Sequence, residues 1–291
     1  MMTNYSNIVP LADQIACADL PIIVPLTLDP LSALMAEEAG FKAMYLGGGT
    51  LGYQKTCTEA NLSLTQMINA GVEIRAATSL PLLLDAQCGW GDAMHVKHAT
   101  RMAEAAGFAG MEIEDQLMPK RAHHHVGVEH LIPIDEMVAK VKTAIATRCN
   151  RKFLIIARTN ACRSAGLSEA LRRAEAYKQA GADLILVLTK DPKELRTVGE
   201  RIEGPHMTFG SVGAEILSLG EFGNLGYKLF VDATTPFIDT VNALRLCYKR
   251  MASGKNQDAC LNKLKEEIEN VHNLIQLNSL LDIESRTVEP K

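Results

Sequence analysis

Short apolar runs alternate with longer amphipathic stretches along most of this chain, and that order leaves few folds open. The runs PIIVPLTL (21–28), KAMYLGG (42–48), PLLLDAQ (81–87), GMEIED (110–115), KFLIIARTN (152–160), ADLILVL (182–188), PHMTFG (205–210) and YKLFVDA (227–233) have the length of strands. Several are continuous rather than alternating, as strands buried on both faces are. Between them the spacing predicts helices over 29–40, 63–79, 92–107, 134–148, 167–181 and 235–254. The triplets AGF, AGV, AGF and AGA stand where four of these helices should close, and glycine suits the left-handed cap there. Eight strand-plus-helix units in roughly 230 residues is the count of a (β/α)8 TIM barrel, with an open doubly wound sheet as the alternative.

No linker rich in Pro, Gly or Ser divides the chain, so a barrel domain is expected over 1–255 and a helical extension over 256–291. The tail 256–279 carries Leu261, Leu264, Ile268, Val271, Leu274 and Ile275 at helical spacing. Such a stripe needs another surface to cover it, for instance a second subunit.

Composition removes several classes of function. The 291 residues hold 34 acidic and 30 basic side chains mixed along the chain, a formal charge of −4 with no basic block, so nucleic acid is not an expected partner. The longest apolar runs, such as 82–84 and 184–188, are too short to cross a bilayer, so no membrane partner is expected. The N-terminus lacks the basic region and apolar core of a secretion signal. The seven cysteines are odd in number, scattered and without a CxxC pair, which fits reduced thiols in the cytoplasm and argues against a zinc ribbon.

In a barrel, chemistry sits at the C-terminal ends of the strands. Those ends carry Gly47, Gly48 and Gly49 after strand 2, Asp85 and Gln87 after strand 3, Glu114 and Asp115 after strand 4, Arg158, Thr159 and Asn160 after strand 5, and Asp232 after strand 8. Two carboxylates and a guanidinium at one mouth suggest Mg2+ on Asp85 and Glu114 with an anionic substrate, and loop capping is the plainer alternative for both acids. GGGTLG (47–52) matches the letters GxGxxG, but YQKTCTEANLS after it reads as irregular rather than as a helix start, so a dinucleotide is not expected. The glycines are read instead as bringing backbone N–H groups to a carboxylate.

The segment QLMPKRAHHH (116–125) offers Lys120 and Arg121 to a carboxylate and His124 to a proton, although a solvated basic loop reads equally. Three consecutive histidines cannot all face one ion, so a metal site made of all three is not expected. Trp90 should pack beneath the mouth, Met102, Met111 and Met118 should fill core, and Glu112 should be a buried acid one layer below Glu114.

Taken in order, YLGGGTLG, PLLLDAQCGWGDAMHV, AGMEIEDQLMPKRAHHH and FLIIARTNA resemble the isocitrate lyase / phosphoenolpyruvate mutase superfamily, nearest its 2-methylisocitrate lyase-like branch. The resemblance covers roughly residues 20–190. It implies a (β/α)8 barrel whose extra C-terminal helix is exchanged between subunits of a homo-oligomer, a dimer or homotetramer. It also implies Mg2+ and a 2-oxo or 2-hydroxy acid whose bond breaks beside an enolpyruvate-like intermediate. Asp85, Glu114, Arg158 and Tyr45 match family positions. The family's second acid after strand 3 is replaced by Gln87, and its acid after strand 2 falls near Ala60, with Glu59 beside it. The lyase branch has KKCGH or KRCGH where this chain has Lys120-Arg121-Ala122-His123-His124, and alanine cannot transfer a proton. Leu188 stands for a frequent glutamate, and an arginine of the last barrel loop is missing, which points to a substrate smaller or less charged than a tricarboxylate.

The resulting expectation is a Mg2+-assisted carbon–carbon lyase acting on a small 2-hydroxy or 2-oxo carboxylic acid. Asp85, Glu114 and Gln87 would hold the metal, and Arg158 and Lys120 would be catalytic, with His123 or His124 replacing the thiol. Tyr45, Gly47, Gly48, Gly49, Arg121 and Asn160 would bind substrate. Alternatives are a phosphonopyruvate-type mutase or hydrolase, a 2-oxo diacid decarboxylase, or a non-catalytic acid-binding barrel.

Overall fold

A computed structural model describes residues 9–214, 216–254 and 259–288. The chain divides into two compact units, residues 1–237 and 238–291. The boundary expected at 255–256, the first residues of the predicted tail helix and the side chain of Leu261 lie outside the described residues.

The first unit is built in the order α1 (Leu11–Cys17), β1 (Ile22–Pro25), α2 (Pro30–Glu38), β2 (Met44–Leu46), α3 (Gly48–Gln54), α4 (Leu64–Ala77), β3 (Leu82–Asp85), α5 (Ala93–Ala105), β4 (Gly110–Glu114) and α6 (Ile134–Thr147). It continues through β5 (Leu154–Thr159), α7 (Ala161–Ser164), α8 (Gly166–Gln179), β6 (Leu184–Val187), α9 (Pro192–Arg201), β7 (His206–Phe209), α10 (Leu219–Asn224) and β8 (Tyr227–Asp232) to the start of α11 (Thr235–Ala252). Each strand pairs in parallel with the next from β2 to β8, and β8 returns to pair with β1. The bridge from Leu26 to Tyr45, with Thr27 N–H donating to Tyr45 C=O at 3.0 Å, brings β1 onto β2. The sheet is therefore a nearly closed (β/α)8 barrel and not an open doubly wound one.

Side-chain parity divides the core. Tyr45, Leu83, Ile156, Leu186, Met207, Leu229 and Val231 form one buried cluster, the barrel interior. Their sequence neighbours Met44, Leu46, Leu82, Leu84, Ile155, Ala157, Ile185 and Val187 pack in a second cluster with the helices. Strand residues alternate faces. Asp85, Glu112, Glu114 and Arg158 share the interior parity, while Met111 and Ile113 pack outward.

Helix starts follow from local chemistry. Asp29 with Ser32, Ser63 with Gln66, Asp92 with His95, and Ser218 with Glu221 each form a capping box that satisfies otherwise unpaired N–H groups. Gly40, Gly107 and Gly181, at φ +88°, +80° and +100°, close three helices as expected. The fourth triplet does not, because Gly71 lies inside α4, where a Cβ would stand 2.0 Å from Phe108 Cζ. That glycine admits an aromatic ring, and a small residue serving close packing reads in sequence like a helix end. The segment after Gly47 itself forms a seven-residue helix, GGTLGYQ, while the polar stretch that follows it is largely irregular beyond Gln54, with one 3₁₀ turn over Glu59–Asn61.

In the second unit the tail is two helices, α12 (Ala259–Leu274) and α13 (Leu277–Thr287), broken where Gln276 takes φ +55°. Leu264, Ile268, Val271 and Ile275 are exposed, as are Leu280, Leu281 and Ile283. No helix among the described residues is long and apolar enough to cross a membrane.

His206 on β7 is fully buried, donates from Nε2 to Ile202 C=O at 2.8 Å and lies beside the Tyr227 ring. Burial pushes its pKa down from 6.5 to about 4. A histidine held neutral in the fold contributes stability that is complete above its unfolded pKa and is lost as pH falls toward the folded one. Acidification from pH 7.5 to 4.5 is therefore expected to cost the native chain up to roughly 3 kcal/mol more than it costs His206→Gln. Urea midpoints at both pH values test this, and equal losses in the two proteins would refute it.

Candidate active site

Parity and strand ends bring Asp85, Glu114 and Arg158 to one mouth of the barrel. Glu114 and Arg158 are register partners on β4 and β5, and Asp85 pairs with Glu112 one layer deeper. Asp85 accepts the Gly48 N–H on Oδ2 at 2.8 Å and the Gln87 N–H on Oδ1 at 2.9 Å. Burial raises its pKa, and Lys120 offsets part of that rise. The Gly48 amide, expected to serve a substrate carboxylate, is thus committed to the carboxylate of Asp85.

Glu114 is surrounded by donors. Lys120 Nζ reaches Oε1 at 2.6 Å, and Asn160 Nδ2 donates to Oε2 at 2.8 Å, with Arg158 Nη2 at 3.3 Å. Burial, the largest influence, pushes Glu114 up, but Lys120 and then Arg158 overcome it and hold the carboxylate well below its ordinary range. Arg158 also donates from Nη1 to Glu112 at 2.7 Å and from Nε to Asn160 Oδ1 at 2.8 Å, and lies over the Phe209 ring. Tyr45 donates its hydroxyl to Glu112 at 3.1 Å. Burial is the main cause that lifts Glu112 to about 7.

Lys120 is buried and also reaches Glu59 Oε1 at 2.9 Å. Burial disfavours its charge, yet Glu114, Glu59 and Asp85 together raise its pKa above the usual lysine value. It reaches the site on a segment that doubles back, with Leu117 N–H donating to His130 C=O and Val128 N–H to His123 C=O. Behind this segment Asp115 accepts from Thr159, Arg173 and Tyr177.

The three consecutive histidines, in a 3₁₀ turn over Ala122–Val126, take three directions. His124 Nδ1 lies 2.9 Å from Glu129 and 2.8 Å from Gln116 Nε2. His123 is exposed, with Nδ1 3.4 Å from His130 Nε2. His125 Nδ1 is 2.7 Å from the Tyr53 hydroxyl, and its Nε2 is 2.9 Å from Glu59 Oε2. Arg121 is exposed at the head of the turn.

The structure thus gathers Asp85, Gln87, Glu114, Lys120, Arg158, Asn160, Tyr45 and Gly48. Gly47 caps α3 beside the Tyr45 ring, and a Cβ on Gly49 would stand 4.0 Å from Glu59 Oε2. It does not bring Arg121 or His123 among them, because both side chains project from the outer side of the turn. Glu59, His125 and Tyr53 join the cluster, although the sequence singles out only Glu59 for this region, as the neighbour of Ala60. Their signal is three-dimensional, for Tyr53 and His125 stand 72 residues apart.

Among the described residues no three His, Cys, Asp or Glu side chains are arranged as a metal site. Mg2+ does not require three, since it keeps several waters and takes oxygens from its substrate. The hard oxygens of Asp85 and Glu114 suit it, and beside them the Gln87 amide is buried with Nε2 lacking any hydrogen-bond partner. An unpartnered buried amide is costly unless water or a ligand oxygen meets it. This donor set fits a water-rich Mg2+ site.

A family profile described as phosphoenolpyruvate phosphomutase matches residues 14–252. The chain is 33% identical over 232 residues to a 2,3-dimethylmalate lyase of Eubacterium barkeri, covering 77% of this chain and 78% of the relative. It is 32% identical over 250 residues to a 2-methylisocitrate lyase of Aeropyrum pernix, covering 84% and 79%. A phosphonopyruvate hydrolase solved as a complex with oxalate and Mg2+ superposes with a TM-score of 0.82 at 27% identity, covering 95% of this chain and 99% of that one.

Proposed function

This chain belongs to the phosphoenolpyruvate phosphomutase family, and on that premise we propose that it is a Mg2+-assisted carbon–carbon lyase of a small 2-hydroxy or 2-oxo carboxylic acid. The observation that carries the proposal is the buried set of Asp85, Glu114, Lys120 and Arg158 at the C-terminal mouth of the barrel. Two acids and two cations, shielded from water, suit a reaction in which negative charge moves onto an enolate.

Asp85 and Glu114 would hold Mg2+, with Gln87 meeting one of its waters or a substrate oxygen. When bound, the ion supplies Lewis-acid polarisation of the substrate's 2-oxygen and carboxylate. Arg158, fixed by Glu112 and Asn160, presents a guanidinium that compensates the developing enolate charge. Lys120, held between Glu114 and Glu59, adds a second positive charge. Tyr45 and the Gly47–Gly49 turn shape the carboxylate end of the pocket. His124, tied to Glu129, keeps the 116–130 segment folded over the mouth.

Purified protein is expected to release pyruvate from at least one of 2,3-dimethylmalate, 2-methylisocitrate and oxaloacetate when Mg2+ is present, and from none of them in EDTA. Release of phosphate from phosphonopyruvate would instead favour the phosphonate reading. If nothing turns over and oxalate with Mg2+ fails to raise the melting temperature, the lyase proposal falls and an acid-binding barrel remains. We also propose a cytoplasmic homo-oligomer, supported by the exposed Leu264, Ile268, Val271 and Ile275. Light scattering on the same preparation would contradict it by returning a monomer's mass.

A further inference from the structure

We propose that His125, poised by Tyr53 and Glu59, is the proton donor that stands in for the thiol missing at Ala122. The inference rests on the lyase reading above, because it supplies the step for which that reading has no donor.

Three observations carry it. The first is a gradient of exposure along one line of contacts. Tyr53 and His125 are both exposed residues while Glu59 is buried, so the line runs from solvent to the carboxylate cluster. The second is the tautomer. The Tyr53 hydroxyl lies 2.7 Å from Nδ1, and a phenol donating there leaves the ring proton on Nε2, the nitrogen that faces the site. Burial and the charge of Glu59 both raise the Tyr53 pKa, which keeps the phenol a donor. The third is an uncommitted proton and an uncommitted acceptor in one place. Nε2 lies 2.9 Å from Glu59 Oε2, yet Oε2 is buried and accepts no hydrogen bond. The His125 ring thus stands at ion-pair distance from the carboxylate without a well-aligned hydrogen bond to it, and can turn its N–H to a ligand lying along Gly49, where Glu59 forms the wall.

The other histidines of the turn are placed differently. His124 is held at Nδ1 by Glu129 and Gln116, with its Nε2 3.9 Å from Glu59 Oε1 and farther from that carboxylate than His125, and His123 faces His130 at the surface. The groups around His125 are Tyr53 from α3, Glu59 from the 3₁₀ turn Glu59–Asn61, and the His124 ring within its own turn. Tyr53 is itself packed against Phe237.

In the step proposed, the carbon–carbon electron pair passes to the departing fragment as an enolate. The enolate carbon takes the proton from His125 Nε2, breaking that N–H bond. Tyr53 passes its hydroxyl proton to Nδ1 in the same event; afterwards Nδ1 returns that proton to the phenolate and Nε2 takes one from water, which restores the starting tautomer. With a 2-hydroxy acid the proton lost by the substrate hydroxyl as it becomes a carbonyl balances the one drawn from water, and with oxaloacetate the hydroxide left by that water is taken up by the released CO2 as bicarbonate. His125 is thus a catalytic residue, and Tyr53 a positioning residue that fixes the tautomer and recharges the ring.

The test uses whichever of 2,3-dimethylmalate, 2-methylisocitrate and oxaloacetate the native enzyme cleaves with Mg2+. His125→Ala is expected to lower kcat about 10²–10⁴-fold, the usual contribution of a general acid, with KM little changed. Tyr53→Phe should lower kcat about tenfold and alter the solvent isotope effect on kcat, which a packing role alone would not do. Ala122→Cys added to His125→Ala should restore turnover by returning a thiol donor. The Mg2+-dependent thermal shift with oxalate should survive in His125→Ala, because the enolate-binding half of the site is intact. Native kcat in His125→Ala, loss of its oxalate shift, or no rescue by Ala122→Cys would each overturn the donor assignment. A native enzyme that cleaves none of the three substrates and gains no stability from oxalate with Mg2+ would overturn the lyase reading and the donor together, so the two failures are distinguishable.

Discussion

Arg158→Met is expected to unfold about 3–5 kcal/mol more easily than the native protein and to lose at least about 10³-fold in turnover. The guanidinium is buried between Glu112 at 2.7 Å and Glu114 at 3.3 Å, and β5 holds it where water cannot replace it. Removing one cation from a buried group leaves the acids uncompensated, which costs far more than the net worth of the original ion pair. The pH dependence separates this cause from simple loss of packing. Without the guanidinium, Glu112 and Glu114 both gain pKa, so the folded variant takes up protons more readily than its unfolded chain as pH falls. Its deficit should be largest near pH 8 and shrink toward pH 5. Urea denaturation across that range is the measurement, and a deficit of constant size would assign the loss to packing.

Asp85→Asn is expected to do the opposite, losing function while keeping the fold. Turnover should fall by about 10³-fold or more, and the joint stabilisation by Mg2+ and oxalate should vanish. For the native chain that stabilisation is about 2.7 kcal/mol with oxalate at 100 times its dissociation constant. Thermodynamic stability should change by only about 1 kcal/mol. The amide oxygen can still accept one of the two backbone N–H bonds now made to Gly48 and Gln87, and a buried charge whose ionisation the fold resists is removed. Thermal melts with and without Mg2+ and oxalate read both halves of the expectation. An Asp85→Asn protein that kept the full ligand shift would move the metal away from this carboxylate.

The sequence placed the strands and the acids at their ends for one physical reason. Period-two alternation in a buried strand ties Leu83 to Asp85, Ile113 to the outward side, and Ile156 to Arg158, so a residue's face can be counted from its neighbours. The parts that resist reading lack any such period. Glu59, Tyr53 and His125 lie on a short helix and two 3₁₀ turns, and they meet only because the segment over Gln116–Leu131 folds back onto the loop after β2. The helix α9 escapes a reading by periodicity because only Leu195 and Val198 are buried along it, too thin a stripe to stand out among charged neighbours. Gly71 misleads for a related reason, since its partner Phe108 is distant in sequence. Resemblance supplied Tyr45 its place in the site, but it could not say that Gln87 would be left with an unsatisfied amide.

The way β1 meets β2 has a consequence for how this barrel moves. Six of the eight strand junctions carry three or more register pairs, whereas β6–β7 carries one and this one is a single bridge between Leu26 and Tyr45. The cylinder behaves as a rolled sheet fastened by a clasp, and the clasp residue is also the tyrosine whose hydroxyl holds Glu112. The seam and the charges at the mouth therefore share one residue, and a ligand that displaces the Tyr45 hydroxyl from Glu112 would act on both.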